Sequence, residues 1–109
     1  MKINELKGCL QLKEYTTVNG REVTGVYCCD LLSNALINLK NGNLWITIMN
    51  NANVTAVAKA KNVSAVILAE GVVPDMDMLA ASKEHGICVL GSNLPVYELT
   101  VALHLALKE

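Results

Sequence analysis

Three apolar segments, each ending in a polar turn and followed by a helix-like stretch, constrain the fold more than any other feature of this sequence. They cover residues 44–49, 64–69 and 87–90. Short segments that are apolar at nearly every position are typical of strands buried on both faces of a parallel sheet. Helices between successive strands, without a hairpin signal, favour the same arrangement. The sequence therefore predicts one α/β domain over residues 1–109, with a mostly parallel sheet of about four or five strands and helices on both faces.

The flanking segments complete the predicted layout. We expect Gly8 to end a first helix and Asp30 to cap the second, an interaction worth about 1 kcal/mol. Pro74 and Asp75 are placed to begin a later helix, and Gly86 to end it. Outside the three segments above, helices are predicted over residues 1–9, 31–39, 53–60, 75–86 and 96–107, and strands over residues 11–15 and 23–29.

The predicted core follows from the spacing of apolar residues. In the helix over residues 31–39, one stripe of apolar side chains is expected to face the sheet. Trp45, at the start of an apolar strand, is expected to be a packing residue rather than part of a cofactor site. Cys88 lies inside an apolar strand and is expected to be a small core residue. The apolar stripe of the helix over residues 31–39 comprises Leu32, Ala35, Leu36 and Leu39.

Composition argues against several classes of function. Apolar residues make up 52% of the chain and charged residues 17%, which is typical of a folded domain. The net charge is −1 and the nine Lys and Arg form no basic stripe, so neither nucleic acid nor an anionic membrane is an expected partner. No apolar run is long enough to cross a bilayer, and the first residues lack the apolar core of a signal peptide. We therefore expect a cytoplasmic protein whose four cysteines are thiols.

Candidate functional residues follow from the predicted direction of the strands. In a parallel sheet the loops that follow the strands gather at one rim, where many α/β proteins bind their ligands. Helix amino termini at this rim offer N–H groups and partial positive charge to an anion such as phosphate. The predicted ligand-binding residues are Asp30, Ser33, Asn50, Asn51, Glu70, Gly71, Gly91, Ser92 and Asn93.

A purely structural explanation competes with ligand binding at these positions. Gly71 lets the chain turn sharply, while Glu70, Asp75 and Asp77 place negative charge around the loop that would hold a phosphate. Asp30 can be explained as a helix cap alone, and the loop after the last strand as a polar connection. No GxGxxG or Walker pattern is present, so ATP hydrolysis by a P-loop is not expected.

No catalytic or metal-binding set is predicted. His85 is placed at a helix C-terminus, where its charge is favourable without any catalytic role, and His104 is expected on the exposed or interface side of the last helix. Cys28 and Cys29 are adjacent on a strand, so their side chains point to opposite faces and suit neither a shared metal nor a disulfide. We therefore expect no enzymatic activity, cofactor or metal.

Three segments carry a resemblance to a known family: GVYCCDLLSNAL, GNLWITIMNNANVTAVA and AVILAEGVVPDMDMLAASKEHGICVLGSN. Together they resemble the DRTGG domain over most of the chain, from about residue 23 onward. The most specific parts are the Asp-Leu-Leu-Ser block, the Pro-Asp helix start and the Gly-Ile-x-Val-Leu strand. The resemblance implies a small α/β domain similar to the N-terminal domain of HPr kinase/phosphorylase. The kinase chemistry of that protein belongs to a separate P-loop domain.

The same resemblance implies a regulatory or oligomerising role, since DRTGG domains also occur within phosphate acetyltransferases and CBS-domain pyrophosphatases. Two positions depart from the family pattern. Ala69-Glu70-Gly71 stands where a Thr-Gly-Gly-type turn is usual, and Asn51-Ala52 stands where His-Pro often follows the Trp-bearing strand. Both departures fall on the predicted rim and change the groups that a ligand would meet there.

Three functions are therefore compatible with the sequence. The first is a non-catalytic regulatory or interaction domain that acts as a homodimer, with the apolar helix over residues 96–107 as a possible interface. The second is a sensor that binds a nucleotide or another phosphorylated metabolite at the rim. The third is a thiol-based enzyme or redox switch that uses Cys28 and Cys29, for which Arg21 is the nearest positive charge in sequence.

Overall fold

The computed structural model describes residues 1–108, which form five strands and five helices. The strands and helices alternate along most of the chain, as the apolar pattern predicts. In chain order they are α1 (Ile3–Leu10), β1 (Lys13–Glu14), β2 (Gly25–Cys28), α2 (Leu32–Asn38), β3 (Asn43–Thr47), α3 (Ala52–Lys61), β4 (Ala65–Leu68), α4 (Met76–His85), β5 (Val89–Gly91) and α5 (Val96–Lys108).

The strands form one five-stranded sheet in the order β1-β5-β4-β3-β2. The four strands from β2 to β5 are parallel, and β3, β4 and β5 each pair with the strand before them in sequence. The predicted common direction of the central strands is thereby confirmed. Only β1 runs the other way, with Lys13 opposite Gly91. Because β1 is antiparallel, its first residues lie at the same rim as the carboxyl ends of the other strands.

Helices cover both faces of the sheet, but in unequal number. The helices α2, α3 and α4 each connect two neighbouring parallel strands, so right-handed crossovers place all three on one face, here called the three-helix face. There, Ala35, Val54 and Met78 pack with Trp45 and Val66. The opposite face, here called the two-helix face, is covered by α1 and α5. Its core comprises Ile3, Leu6, Leu12, Leu44, Ile46, Ala65, Ile67, Ala69, Cys88, Leu90, Leu99 and Leu103.

Several helix boundaries agree with the cap residues in the sequence. Asp75 caps α4 by accepting a hydrogen bond from the Met78 N–H at 2.7 Å, and Gly86 ends the helix in a left-handed conformation. Gly42, with a φ of 83°, turns the chain into β3. A side chain at Gly42 would meet Thr24, so this position requires glycine for space as well as for conformation.

The predictions for Gly8 in α1 and for Leu36 in α2 are wrong. Gly8 lies inside α1, which continues to Leu10 and ends where Gln11 takes the left-handed conformation. The helix continues past Gly8 because Leu10 packs against the core of the two-helix face. Leu36 is 49% exposed and does not join Ala35 and Leu39 in the core, because it lies about 100° around α2 from the buried Ala35. No helix within residues 1–108 combines the length and hydropathy that a membrane span requires.

Candidate functional site

The chain changes direction between β4 and β5 at the carboxyl rim of the sheet. After β4 it passes to α4 on the three-helix face, and after β5 it passes to α5 on the two-helix face. Neighbouring loops that leave a parallel sheet in opposite directions form the crevice in which α/β proteins commonly bind ligands. The candidate site therefore lies between the exit of β4 and the exit of β5.

Backbone hydrogen bonds tie these two exits together. The N–H of Glu70 donates to the Leu94 carbonyl, and the N–H of Gly71 donates to the Ser92 carbonyl, each at 2.9 Å. Glu70 and Gly71 have φ values of 59° and 71°, and the turn closes with a 3.1 Å hydrogen bond from Val72 to Ala69. The Glu70-Gly71 turn is therefore a corner whose backbone N–H groups already donate hydrogen bonds within the chain.

A cavity of about 90 Å³ remains beside this corner. It brings together four of the predicted ligand residues: Gly71, Gly91, Ser92 and Asn93. The sequence did not identify the lining residues from the segment around β1. A strand of only two exposed residues carries no local signal that it pairs antiparallel with β5. The remaining lining residues are Gln11, Lys13, Tyr15 and Val72.

Gly91 belongs to the end of β5 rather than to the exit loop that the sequence predicts. A Cβ at this position would lie 2.6 Å from Cε2 of Tyr15. No real Cβ contact is that short, so any side chain would displace the Tyr15 ring from the strand end. Gly91 thus allows the ring of Tyr15 to form one wall of the cavity.

Asp30 lies at the other side of the rim and does not cap α2. The N-cap of this helix is Leu31, which forms no side-chain cap hydrogen bond, so the prediction for Asp30 is wrong. Its carboxylate accepts hydrogen bonds from the Thr47 hydroxyl at 2.7 Å and from the Ile48 N–H at 2.9 Å. Asp30 therefore ties the end of β2 to the exit of β3. Ser33 lies in α2 with an exposed side chain.

The two asparagines after β3 also form internal hydrogen bonds. Asn50 donates from its side-chain amide to the Val73 carbonyl at 2.7 Å, and its own carbonyl accepts from the Asp75 N–H at 2.9 Å. Asn51 caps α3 by accepting from the Asn53 N–H at 3.0 Å. The structure thus separates the predicted residues into those around the cavity and those that tie loops or cap helices.

Two of the cysteines, Cys28 and Cys88, have environments that disfavour the thiolate. Burial, with a smaller contribution from the charge of Asp30, raises the pKa of Cys28 above its ordinary value. Burial also raises the pKa of Cys88 to about 11. A reactive thiolate requires a shift in the opposite direction. Residues 1–108 contain no group of three or more His, Cys, Asp or Glu side chains placed to hold a metal ion.

A second candidate region lies where α5 leaves β2 uncovered on the two-helix face. Val26 is 37% exposed although it points to the same side as the buried Leu44 and Ile46 of β3. A groove of about 490 Å³ separates β2 from α5, and beside it α5 carries a stripe of exposed apolar residues. We call this region the α5–β2 surface; it comprises Gly25, Val26, Cys28, Tyr97, Thr100, Val101, His104, Leu105 and Leu107.

The sheet order and the helix placement define a class, a small three-layer α/β domain with a DRTGG-like fold, as the sequence predicts. Among solved structures that share this fold is the regulatory region of a Clostridium perfringens pyrophosphatase. That structure contains CBS and DRTGG domains in complex with the activator diadenosine tetraphosphate. The TM-score is 0.72 at 14% sequence identity, and the match covers 93% of this chain and 45% of the other. No model of a protein family matches the sequence, and no curated protein matches it.

Proposed function

We propose that this chain is a non-catalytic regulatory and oligomerisation domain that forms a homodimer through its α5–β2 surface. The uncovered apolar surface is the observation that carries the proposal. A monomer would leave Tyr97 75% exposed, Leu105 59% exposed and Val101 41% exposed on one side of α5. The role in regulation is supported by the shared fold, since the solved pyrophosphatase fragment belongs to a regulatory region.

The outer edge of β2 supports pairing with another strand. It is the last strand of the sheet, so the backbone groups on its outer side have no strand partner within residues 1–108. Monomeric proteins usually protect such an edge with charged residues, proline or a bulge. Here no charged residue occurs between Glu22 and Asp30. An edge of this kind is suited to being covered in an assembly.

A second copy of this chain is the partner that fits best. Two β2 strands related by a two-fold axis run antiparallel, so each supplies the donors and acceptors that the other lacks. A stable interface buries about 800 Å² per partner, more than a four-residue edge supplies. The exposed stripe of α5 adds apolar area beside that edge. Neither β2 nor the stripe of Tyr97, Val101 and Leu105 carries a charge that would select a different partner.

Sedimentation of the chain and of two matched variants tests the dimer. Val101→Glu places a carboxylate in the proposed interface and should give a monomer at tens of micromolar, where the unmodified chain is dimeric. Met76→Glu is the control, because Met76 is 87% exposed at the start of α4, which connects the inner strands β4 and β5 rather than the edge strand β2. It should leave the dimer intact. A monomer for the unmodified chain, or an unchanged dimer for Val101→Glu, would contradict the proposal.

A ligand sensor is the second candidate function, with a nucleotide or another phosphorylated metabolite bound at the carboxyl rim. The cavity where the chain changes direction between β4 and β5 favours it. The nucleotide activator present in the solved pyrophosphatase structure also supports it. A panel of nucleotides and sugar phosphates should include compounds that raise the melting temperature, since binding to the folded state stabilises it. A flat response across the panel would remove this candidate.

A further inference from the structure

The cavity at the carboxyl rim has the size of a site for one small oxyanion. We propose that it binds a single phosphoryl group, supplied by free phosphate or by a small phosphorylated metabolite. Its volume of about 90 Å³ is that of about three water molecules. Pockets that enclose a whole drug-sized ligand begin at ~300 Å³, so a nucleoside stays outside and only its phosphate enters. This inference rests on the ligand-sensing candidate above and is independent of the dimer.

Polar side chains around the cavity retain hydrogen-bond donors. Within residues 1–108, the side chains of Gln11, Tyr15 and Asn93 form no hydrogen bond to another residue. The Ser92 hydroxyl accepts from the Leu94 N–H at 3.1 Å, which leaves its proton to donate elsewhere. Amide and hydroxyl donors from two separate segments therefore surround a space that fits a tetrahedral anion.

Lys13 supplies the positive charge at this site. Its ammonium lies 5.0 Å from the centroid of the Tyr15 ring, and the residues that line the cavity include no carboxylate. The neighbouring carboxylate of Glu14 is engaged by the Lys7 ammonium at 3.4 Å. This ion pair reduces the repulsion that Glu14 would exert on an anion held by Lys13.

The two glycines of the cavity make room for polar groups. A Cβ at Gly91 would collide with Tyr15, and a Cβ at Gly71 would lie 3.3 Å from the Asn93 side-chain oxygen. Either substitution would move a side chain that is placed to donate to the anion. Gly71 and Gly91 therefore contribute to the proposed site by leaving room for the side chains of Asn93 and Tyr15, rather than by contacting the anion themselves.

Titration by two-dimensional NMR with inorganic phosphate, ribose 5-phosphate and adenosine tests the site. Phosphate and ribose 5-phosphate should shift the backbone amides of Lys13, Ser92 and Asn93, whereas adenosine should not. Tighter binding of ribose 5-phosphate than of phosphate would identify a metabolite as the source of the phosphoryl group, and the reverse order would identify free phosphate. Shifts confined to Asn50 and Asn51 would overturn this inference but keep the ligand sensor. No shift with phosphate or ribose 5-phosphate would overturn this inference, while a nucleotide that raises the melting temperature would still support the ligand sensor.

Three variants test the assigned charges. Lys13→Met should weaken phosphate binding about tenfold or more, as expected for the loss of a charge-assisted hydrogen bond. Lys40→Met removes another exposed lysine, between α2 and β3, and should leave the affinity unchanged. Glu70→Gln removes the exposed carboxylate next to the cavity and should tighten binding. Equal affinities for Lys13→Met and the unmodified chain would overturn the proposal.

Discussion

The two faces of the sheet share the same strands but differ in how completely helices cover them. On the three-helix face, α2, α3 and α4 lie over the connected strands, and Trp45 of β3 is fully buried. On the two-helix face, α1 and α5 bury Ile46 of β3, but Val26 on the adjacent strand remains partly exposed. The difference arises because each crossover adds a helix to the same face, while the opposite face receives helices only from the two end segments. The incompletely covered strand is therefore the one farthest from β1.

The largest effect that separates the two faces is expected from truncation of Trp45. Trp45→Ala removes a side chain that is completely buried and whose indole N–H donates to the Cys29 carbonyl at 3.0 Å. It should lower the free energy of unfolding by about 3–5 kcal/mol. Val26→Ala on the two-helix face should cost less than about 1 kcal/mol, because the side chain is already partly exposed. Urea unfolding of both variants checks this, and similar losses would show that the faces are equally covered.

A second pair of variants tests which side of α2 is buried on the three-helix face. Leu39→Ala should cost about 2–4 kcal/mol, because Leu39 is only 2% exposed beneath α2. Leu36→Ala, within α2 and with the same change in side chain, should cost less than about 1 kcal/mol. Leu39 is the C-cap residue of α2 and Leu36 lies within the helix, but both variants remove the same atoms, so a large difference in chemical unfolding reports mainly the burial of Leu39. Equal costs would mean that α2 is covered on both sides.

The pH dependence of stability tests how completely water is excluded from the core of the two-helix face beneath α1 and α5. The pKa of Cys88 is raised from 9.0 to about 11, chiefly by burial. Its neutral thiol therefore stabilises the fold fully below pH 9, and this contribution is lost as the pH rises through about 11, since the unfolded chain ionises first. The loss should be about 2–3 kcal/mol. Cys88→Ala should lower stability at neutral pH but remove this part of the decline, and a decline identical to that of the unmodified chain would show that Cys88 is hydrated.

The smallest of these effects is expected near the edge strand β2, where Asp30 links the end of β2 to the exit of β3. Asp30→Ala removes the acceptor for the Thr47 hydroxyl, which is fully buried, and for the Ile48 N–H. It should cost about 2 kcal/mol, as expected for two hydrogen bonds to a charged group near the surface. Asp77→Ala removes an exposed carboxylate from the first turn of α4 and should cost less than about 1 kcal/mol. Thermal unfolding compares the two, and equal costs would argue against the tie.

The sequence was sufficient to predict the central architecture because apolar strands and helix caps have local signals. The apolar segments that contain β3, β4 and β5 and the cap residue Asp75 could be recognised from neighbouring residues alone. The pairing of β1 with β5 could not, since it joins distant segments through two exposed residues. For this reason Lys13 and Tyr15 were absent from the predicted site. Asp30 was assigned to the wrong partner because a carboxylate after a strand can accept equally from a helix or from a neighbouring loop.

The pairing order of the strands has a consequence for how the chain acquires its structure. Each strand from β3 to β5 pairs with the strand made just before it, so a nascent chain can build this part of the sheet progressively from short-range contacts. The β1 strand is synthesised early but has no neighbour until β5 exists. We therefore expect β1 to be the last strand to gain protection in refolding monitored by hydrogen exchange, and the rim cavity to form only at that final step.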